Sequence, residues 1–377
     1  MSRSRPRVAL VAHDVSGQQW SGRVIRELVL RGHEEIDFVV VSRGIADDLR
    51  PLVEWRRAPA PDHPYRLKFA AFFLTGAVRL ALERADLVHL HTTGPLVPNR
   101  SDLTSVHFIR AGFFEAAGIF GPDGISRLRR ISPRLHLSLE RWCNRRARVL
   151  AALSEGSKRD LERFFPGIPV IVTPNGVDTD RFRPDLEVRR ELRAAEGVSD
   201  EDVVALFVAN SWSQKGLGVA IESLARAGAA APRLCVVGYG NEERYAALAD
   251  ANGVRDHVRF FGLRRDVERF YQAADLFVLP SLYEQASLAA WEAAACGLPV
   301  VATPVSGMEE IAGNEEGGLL VPRDPDAIGR ALARLASEGE LRRRLGEEAR
   351  RRAAGYTWQR SAESILAAYR ELLGGRL

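Results

Sequence analysis

Along this chain, short apolar runs alternate with longer segments whose apolar residues recur at helical spacing. In the first half, residues 8–12, 36–41, 87–91, 103–107 and 149–153 read as strands. The runs at 8–12, 36–41 and 149–153 are almost continuously apolar, as expected of strands covered on both faces, while 87–91 and 103–107 also carry polar residues. Helical patterns at 22–30 and 67–83 fall between them. A second run of the same kind, 203–209, 234–237, 258–261, 276–279 and 299–302, fills the second half. This alternation predicts an α/β fold with parallel, doubly wound sheets. Between the runs stands Pro174-Asn175-Gly176, strong turn chemistry. It divides the chain into domains 1–173 and 174–356, and the amphipathic helix predicted over 356–373 rejoins the first domain within 357–377.

A length of 377 residues suits two such domains. There is no uncharged apolar run of about 18 residues, the length a membrane-spanning helix needs. The apolar run at 8–12 is too short for a signal-peptide core. A cytoplasmic protein is therefore expected, with a peripheral place on the inner membrane face left open. Three widely spaced cysteines, Cys143, Cys235 and Cys296, argue against a disulfide framework or a zinc site.

Charge changes the picture. The net value is +4, but residues 1–170 carry 27 Lys and Arg against 18 Asp and Glu, and the remainder 26 against 31. A basic first half suits an anionic partner: a phosphate, an acidic glycan or an anionic membrane surface. The arginine-dense stretch 127–148 reads as a solvated helix face or as a dock for such a partner. No nucleic-acid module is present, so no nucleic-acid partner is expected.

The candidate chemistry concentrates in residues 280–302. A strand ended by Pro280 leads through a loop into an Ala-rich helix stopped by Gly297. Glu284 falls at the carboxyl end of a parallel strand, where open α/β sheets bind ligands. Glu292 lies one to two turns into the helix. The unpaired N–H groups near Ser287 can cradle an anion. Two carboxylates flanking such a cradle suit a phosphorylated ligand bearing hydroxyls. Lys215, one of three lysines in the chain, is placed on a strand-to-helix loop, where a flexible point charge suits phosphate.

The Glu284-x7-Glu292 spacing, followed by Cys-Gly-Leu-Pro-Val, resembles the signature of the retaining, nucleotide-sugar-dependent glycosyltransferases of family 4. That family has the GT-B fold, two Rossmann-like domains facing a central cleft with the last helix crossing back to the first domain. The resemblance implies that Glu284 meets the donor sugar and Glu292 the ribose, with Ala286, Ser287 and Leu288 beside the donor. Residues 208–217 resemble the family's donor-diphosphate motif, and Lys215 matches its lysine. Asn210 stands where the family has Gly-Arg, and Gln214 where some bacterial members have an arginine. Either one cation faces two phosphates or another arginine substitutes. Gly238 resembles the glycine-rich turn after the next strand, and Leu263 and Arg264 the base-contacting loop. Gly17 lies in the opening loop of the first domain, where the family carries a glycine pair. Residues 103–107 resemble a Thr-x-x-His element whose histidine, here His107, meets the donor sugar. His89 and His91 share one strand face and read as structural or pocket-lining.

The resemblance implies sugar transfer from a nucleoside-diphosphate sugar to a hydroxyl acceptor (a glycan, a lipid-linked compound or a small molecule) by a metal-independent front-face route. His107, Lys215 and Glu284 would be the catalytic residues, with no cofactor beyond the nucleotide sugar. Two alternatives share the fold: a nucleotide-sugar epimerase, and a non-catalytic nucleotide-sugar-binding partner subunit.

Overall fold

A computed structural model of the chain describes residues 5–16, 20–94, 96–119 and 131–374. The chain divides into two compact units, Met1–Asn175 with Trp358–Leu377, and Gly176–Thr357. The sequence placed these changes at 173/174 and 356/357.

The first unit is built on seven strands, β1 (Arg7–Val11), β2 (Asp37–Ser42), β3 (Glu54–Arg57), β4 (Leu87–Thr92), β5 (Ser101–Val106), β6 (Ala147–Ala152) and β7 (Val170–Val172). They form one parallel sheet in the order β3-β2-β1-β4-β5-β6-β7. The second unit has six, β8 (Val204–Ala209), β9 (Arg233–Gly238), β10 (Val258–Phe260), β11 (Leu276–Leu279), β12 (Val300–Ala302) and β13 (Gly318–Leu320). Their order is β10-β9-β8-β11-β12-β13, again all parallel.

Both orders reverse direction in the middle, between β1 and β4 and between β8 and β11. At such a switch point the connections leave toward opposite faces of the sheet. A crevice opens at the carboxyl ends of the two strands. The central strands are apolar and covered on both sides: Val8 to Val11 and Leu276 to Leu279 are all buried.

Three strands lie outside the sequence expectation. β3 carries three charged residues in Glu54-Trp55-Arg56-Arg57 and sits at the sheet edge, half in solvent. β7 and β13 are three residues each, and both also lie at edges. Edge strands need neither length nor a continuous apolar run. β7 extends the first sheet, where the sequence suggested only a link between domains.

The helix Trp358–Leu372 returns to the first unit and buries Trp358, Ile365, Leu366 and Tyr369. Its Tyr369 Oη is hydrogen-bonded to His89 Nδ1 on β4 at 2.6 Å, and His89 Nε2 to Ser105 Oγ on β5 at 2.8 Å. All three side chains are buried. Tyr369→Phe should therefore strand the imidazole nitrogen and cost about 1–3 kcal/mol. Urea unfolding checks this, and an unchanged midpoint would mean the hydroxyl contributes nothing.

Candidate functional site

In the second unit, β8 runs into a single helical turn, Trp212–Lys215, before the helix Leu217–Ala227 begins. Lys215 is therefore the last residue of a turn, not part of an open loop as its sequence context suggested. Gly216 follows in the left-handed conformation, φ +84°. A Cβ there would lie 2.0 Å from the Pro280 carbonyl oxygen, so only glycine lets this turn press against the end of β11. The backbone N–H of Leu282 donates to the Gln214 carbonyl at 2.9 Å, and the Gln214 side chain reaches the Tyr283 carbonyl at 3.5 Å. The two loops at the switch point are thus stitched together.

That contact brings Lys215 to Glu284. The Lys215 ammonium is hydrogen-bonded to Glu284 Oε1. The same oxygen accepts from Ser281 Oγ at 2.7 Å, and Thr303 Oγ1 donates to the Ser281 carbonyl at 2.6 Å. Glu284 is buried and the lysine side chain nearly so. A carboxylate out of water needs such a partner. Arg323 Nε, from the segment after β13, donates to the Pro280 carbonyl at 3.0 Å and brings a second cation against this loop.

The helix Leu288–Ala295 starts four residues beyond Glu284. Ser287 caps it, its hydroxyl accepting from Ala290 N at 3.3 Å. Ala286 and Ser287 are buried and Leu288 half-buried. Glu292 lies in this helix and accepts from Tyr271 Oη at 3.2 Å.

The other donor-side expectations are placed as follows. Asn210 directly follows β8 and is exposed. Gly238 ends β9 at φ +127°, and a Cβ there would lie 1.8 Å from the Ala209 carbonyl oxygen. Packing against β8 alone accounts for that glycine. Leu263 is exposed, while the Arg264 guanidinium is engaged by Asp266 at 2.8 Å and lies over the Phe270 ring. Gly17 lies outside the described residues, as does the 127–130 part of the arginine-dense stretch.

The first unit gathers a different chemistry at its carboxyl strand ends. His107 follows β5 and is buried. Its Nε2 lies 3.2 Å from His91 Nδ1 on β4, with the rings stacked at 18°. One imidazole donates and the other accepts, which fixes the tautomer of each relative to the other. The outer atoms, His91 Nε2 and His107 Nδ1, make no hydrogen bond. Burial holds His107 down to about 4 and His89 to about 3, and lowers His91 in the same direction. These histidines are neutral at ordinary pH.

Three residues here escaped the sequence reading. His13 and Asp14 follow β1. Both His13 ring nitrogens are buried without a hydrogen bond, and the ring stacks on Phe69 at 4.6 Å. Asp14 accepts from Ser16 N at 2.8 Å and from Arg43 at 3.2 Å. Glu140, buried on the helix Ile131–Asn144, accepts from the Arg110 backbone N–H at 2.9 Å and so caps the helix Arg110–Ala116 behind His107. Burial pushes its carboxyl up to about 7. A lone polar residue next to an apolar strand carries no periodic signal. The one legible cue was that His13-Asp14 directly follows a strand.

Three Asp-x-Asp triplets occur in the chain, at 178–180, 200–202 and 324–326. Asp178 accepts from the N–H groups of Asp180 and Arg181, Asp202 from Ser199 N, and Asp324 caps the helix Pro325–Ser337. Each triplet therefore has a carboxylate committed to local backbone. Among the described residues no three His, Cys, Asp or Glu side chains gather as metal ligands.

Residues 19–181 match the family model described as Glycosyltransferase Family 4, and residues 188–352 that described as Glycosyl transferases group 1. The D-inositol 3-phosphate glycosyltransferase of Geodermatophilus obscurus is 30% identical over 92% of this chain and 82% of its own length. The enzyme of that name from Corynebacterium jeikeium is 36% identical over 53% of this chain, which spans 51% of that relative. The crystallised sucrose-phosphate synthase of Thermosynechococcus elongatus superposes with a TM-score of 0.81, covering 98% of this chain and all of the other at 20% identity. That likeness, with two parallel doubly wound sheets, is the GT-B fold.

The buried histidines make the first unit acid-sensitive. In the unfolded chain they protonate near 6.5, whereas the fold keeps them neutral to about 4 or below. Their contribution is intact above 6.5 and drains away as the pH falls toward 4. Glu140 works in the opposite sense, its contribution being lost as the pH rises through about 7. The melting temperature of a His91→Gln variant should fall less steeply than wild type between pH 6.5 and 4. Parallel slopes would show that His91 is not held neutral.

Proposed function

The chain belongs to the group 1 glycosyltransferases of family 4, and from that premise we propose that it transfers a sugar, with retention, from a nucleoside-diphosphate sugar to a hydroxyl acceptor. The observation that carries this reading is the Lys215–Glu284 pair at the carboxyl ends of β8 and β11. A cation and a carboxylate at one switch point match the two halves of such a donor. Lys215 takes the diphosphate, and Glu284 accepts from sugar hydroxyls. Glu292 takes the ribose, and the helix start at Ser287 adds its N–H groups. Arg323 is the cation this reading assigns in place of the arginine missing at Asn210.

In the reaction, the C1–O bond to the diphosphate breaks and the acceptor oxygen bonds C1 on the same face. The leaving diphosphate oxygen takes the acceptor proton. Lys215 stabilises the charge that grows there, so that no metal is required. His107 is neutral, so any role it has in the first unit is by hydrogen bonding and not by charge. An anionic acceptor is favoured by the basic first half, 27 Lys and Arg against 18 Asp and Glu over residues 1–170. It is also in keeping with relatives named for inositol 3-phosphate.

Glu284→Gln keeps the side-chain shape and one acceptor oxygen, and Lys215→Ala removes the cation. Each should lower kcat/KM by about 2–4 kcal/mol of transition-state stabilisation while leaving the protein folded. Near-normal turnover would remove that residue from the site. Product analysis with labelled UDP-, GDP- and ADP-sugars tests the reading as a whole. A glycoside with the donor's anomeric configuration supports it, and a free epimerised sugar or binding without turnover overturns it.

EDTA should leave turnover unchanged. Inactivation reversed by Mg²⁺ or Mn²⁺ would show that the diphosphate needs a metal after all.

A further inference from the structure

The helix Tyr65–Ala81 turns one side to the first sheet, where Phe72 and Leu80 are buried in the core beside β1 and β4. Its other side is apolar as well. Leu67, Leu74, Val78 and Leu82 follow one another at spacings of seven, four and four, which places them on one stripe. The neighbouring helix Ile131–Asn144 adds Leu135 and Trp142, and the Phe73 and Trp142 rings, 6.4 Å apart, join the two helices into one surface. These six apolar side chains are between 46% and 72% exposed. A soluble helix ordinarily presents a polar face to water, and a contiguous apolar patch marks a docking surface.

Charge identifies what docks. Residues 65–82 contain no Asp or Glu; just beyond them Glu83 is paired with Arg7 and Arg56 and Asp86 accepts from the Arg7 N–H, and between 131 and 148 the one carboxylate, Glu140, is buried. The cations around the stripe, Arg79, Arg84, Arg134, Arg141 and Arg145, are exposed, and no carboxylate among the described residues pairs with them. Several arginines elsewhere on the first unit are paired, Arg7 with Glu54 and Arg163 with Glu115 among them. An apolar strip with a tryptophan, bordered by arginine and free of exposed acid, is the signature of a helix that lies in a bilayer interface. Long arginine side chains there reach up to headgroup phosphates while their stems stay in the apolar layer.

We propose that this two-helix face of the first unit docks on an anionic lipid bilayer. No helix of the described residues is long and apolar enough to cross a membrane, so the contact would be peripheral. The proposal is independent of the sugar-transfer reading.

Co-sedimentation of the full chain with vesicles tests it. Binding should be strong to phosphatidylcholine vesicles containing phosphatidylglycerol and weak to phosphatidylcholine alone. It should fall as salt rises. Leu74→Glu with Val78→Glu should cut binding at least tenfold at unchanged melting temperature. Arg79→Gln, Arg141→Gln and Arg145→Gln should each cost about fivefold. The apolar variant should retain wild-type turnover on a soluble acceptor, which separates failure here from failure of the catalytic assignment. Equal binding to both vesicle types, or wild-type binding by the variants, overturns the proposal. So does concentration-dependent dimerisation that Leu74→Glu with Val78→Glu abolishes, which would make the face a contact between copies.

Discussion

A carboxylate taken out of water must find a cation or a set of donors, and in the second unit that requirement falls on Glu284. Lys215 and Ser281 meet the same oxygen, and neither would be in place without the strands behind it. Lys215 and Glu284 are 69 positions apart in the chain. They meet because β8 and β11 are neighbours at the point where strand order reverses, and because Gly216 lets the first loop lie directly on the second. The geometry is held by backbone contacts, such as Leu282 N to the Gln214 carbonyl, more than by the charges themselves.

The first unit meets the equivalent demand without charge. His89, His91 and His107 are buried deeply enough to stay neutral, and they lean on one another, on Ser105 and on Tyr369. Neutral imidazoles can give and receive hydrogen bonds without the desolvation cost of an ion. The two units thus share a sheet topology yet present different chemistry at their strand ends, the Lys215–Glu284 pair in one and neutral histidines beside the Asp14–Arg43 pair in the other.

Much of this was legible from residue order. Long apolar runs such as those of β1, β8 and β11 announced themselves, because a strand covered on both faces cannot hide its composition. Glu284, Glu292 and Lys215 could be singled out from strand–loop–helix context. That Lys215 and Glu284 bond to each other could not be read, since which strands are neighbours is a property of the assembled sheet. β3 was missed because an edge strand tolerates Glu54, Arg56 and Arg57, and β13 because three residues carry no period. The helix Tyr65–Ala81 was read correctly as a helix, but its pattern did not reveal two apolar sides. A helix that is apolar all round looks like a core helix until the structure shows that one side faces nothing.

The returning helix Trp358–Leu372 has a bearing on synthesis. A nascent chain emerges from the amino end, and domains ordinarily complete themselves in that order. Here the first unit lacks Tyr369, and with it the partner of His89, until the whole of Gly176–Thr357 has been translated. The second unit is contiguous and can close first. During synthesis the earlier half therefore waits on the helix Trp358–Leu372. Its exposed core edge during that interval is what a chaperone would meet.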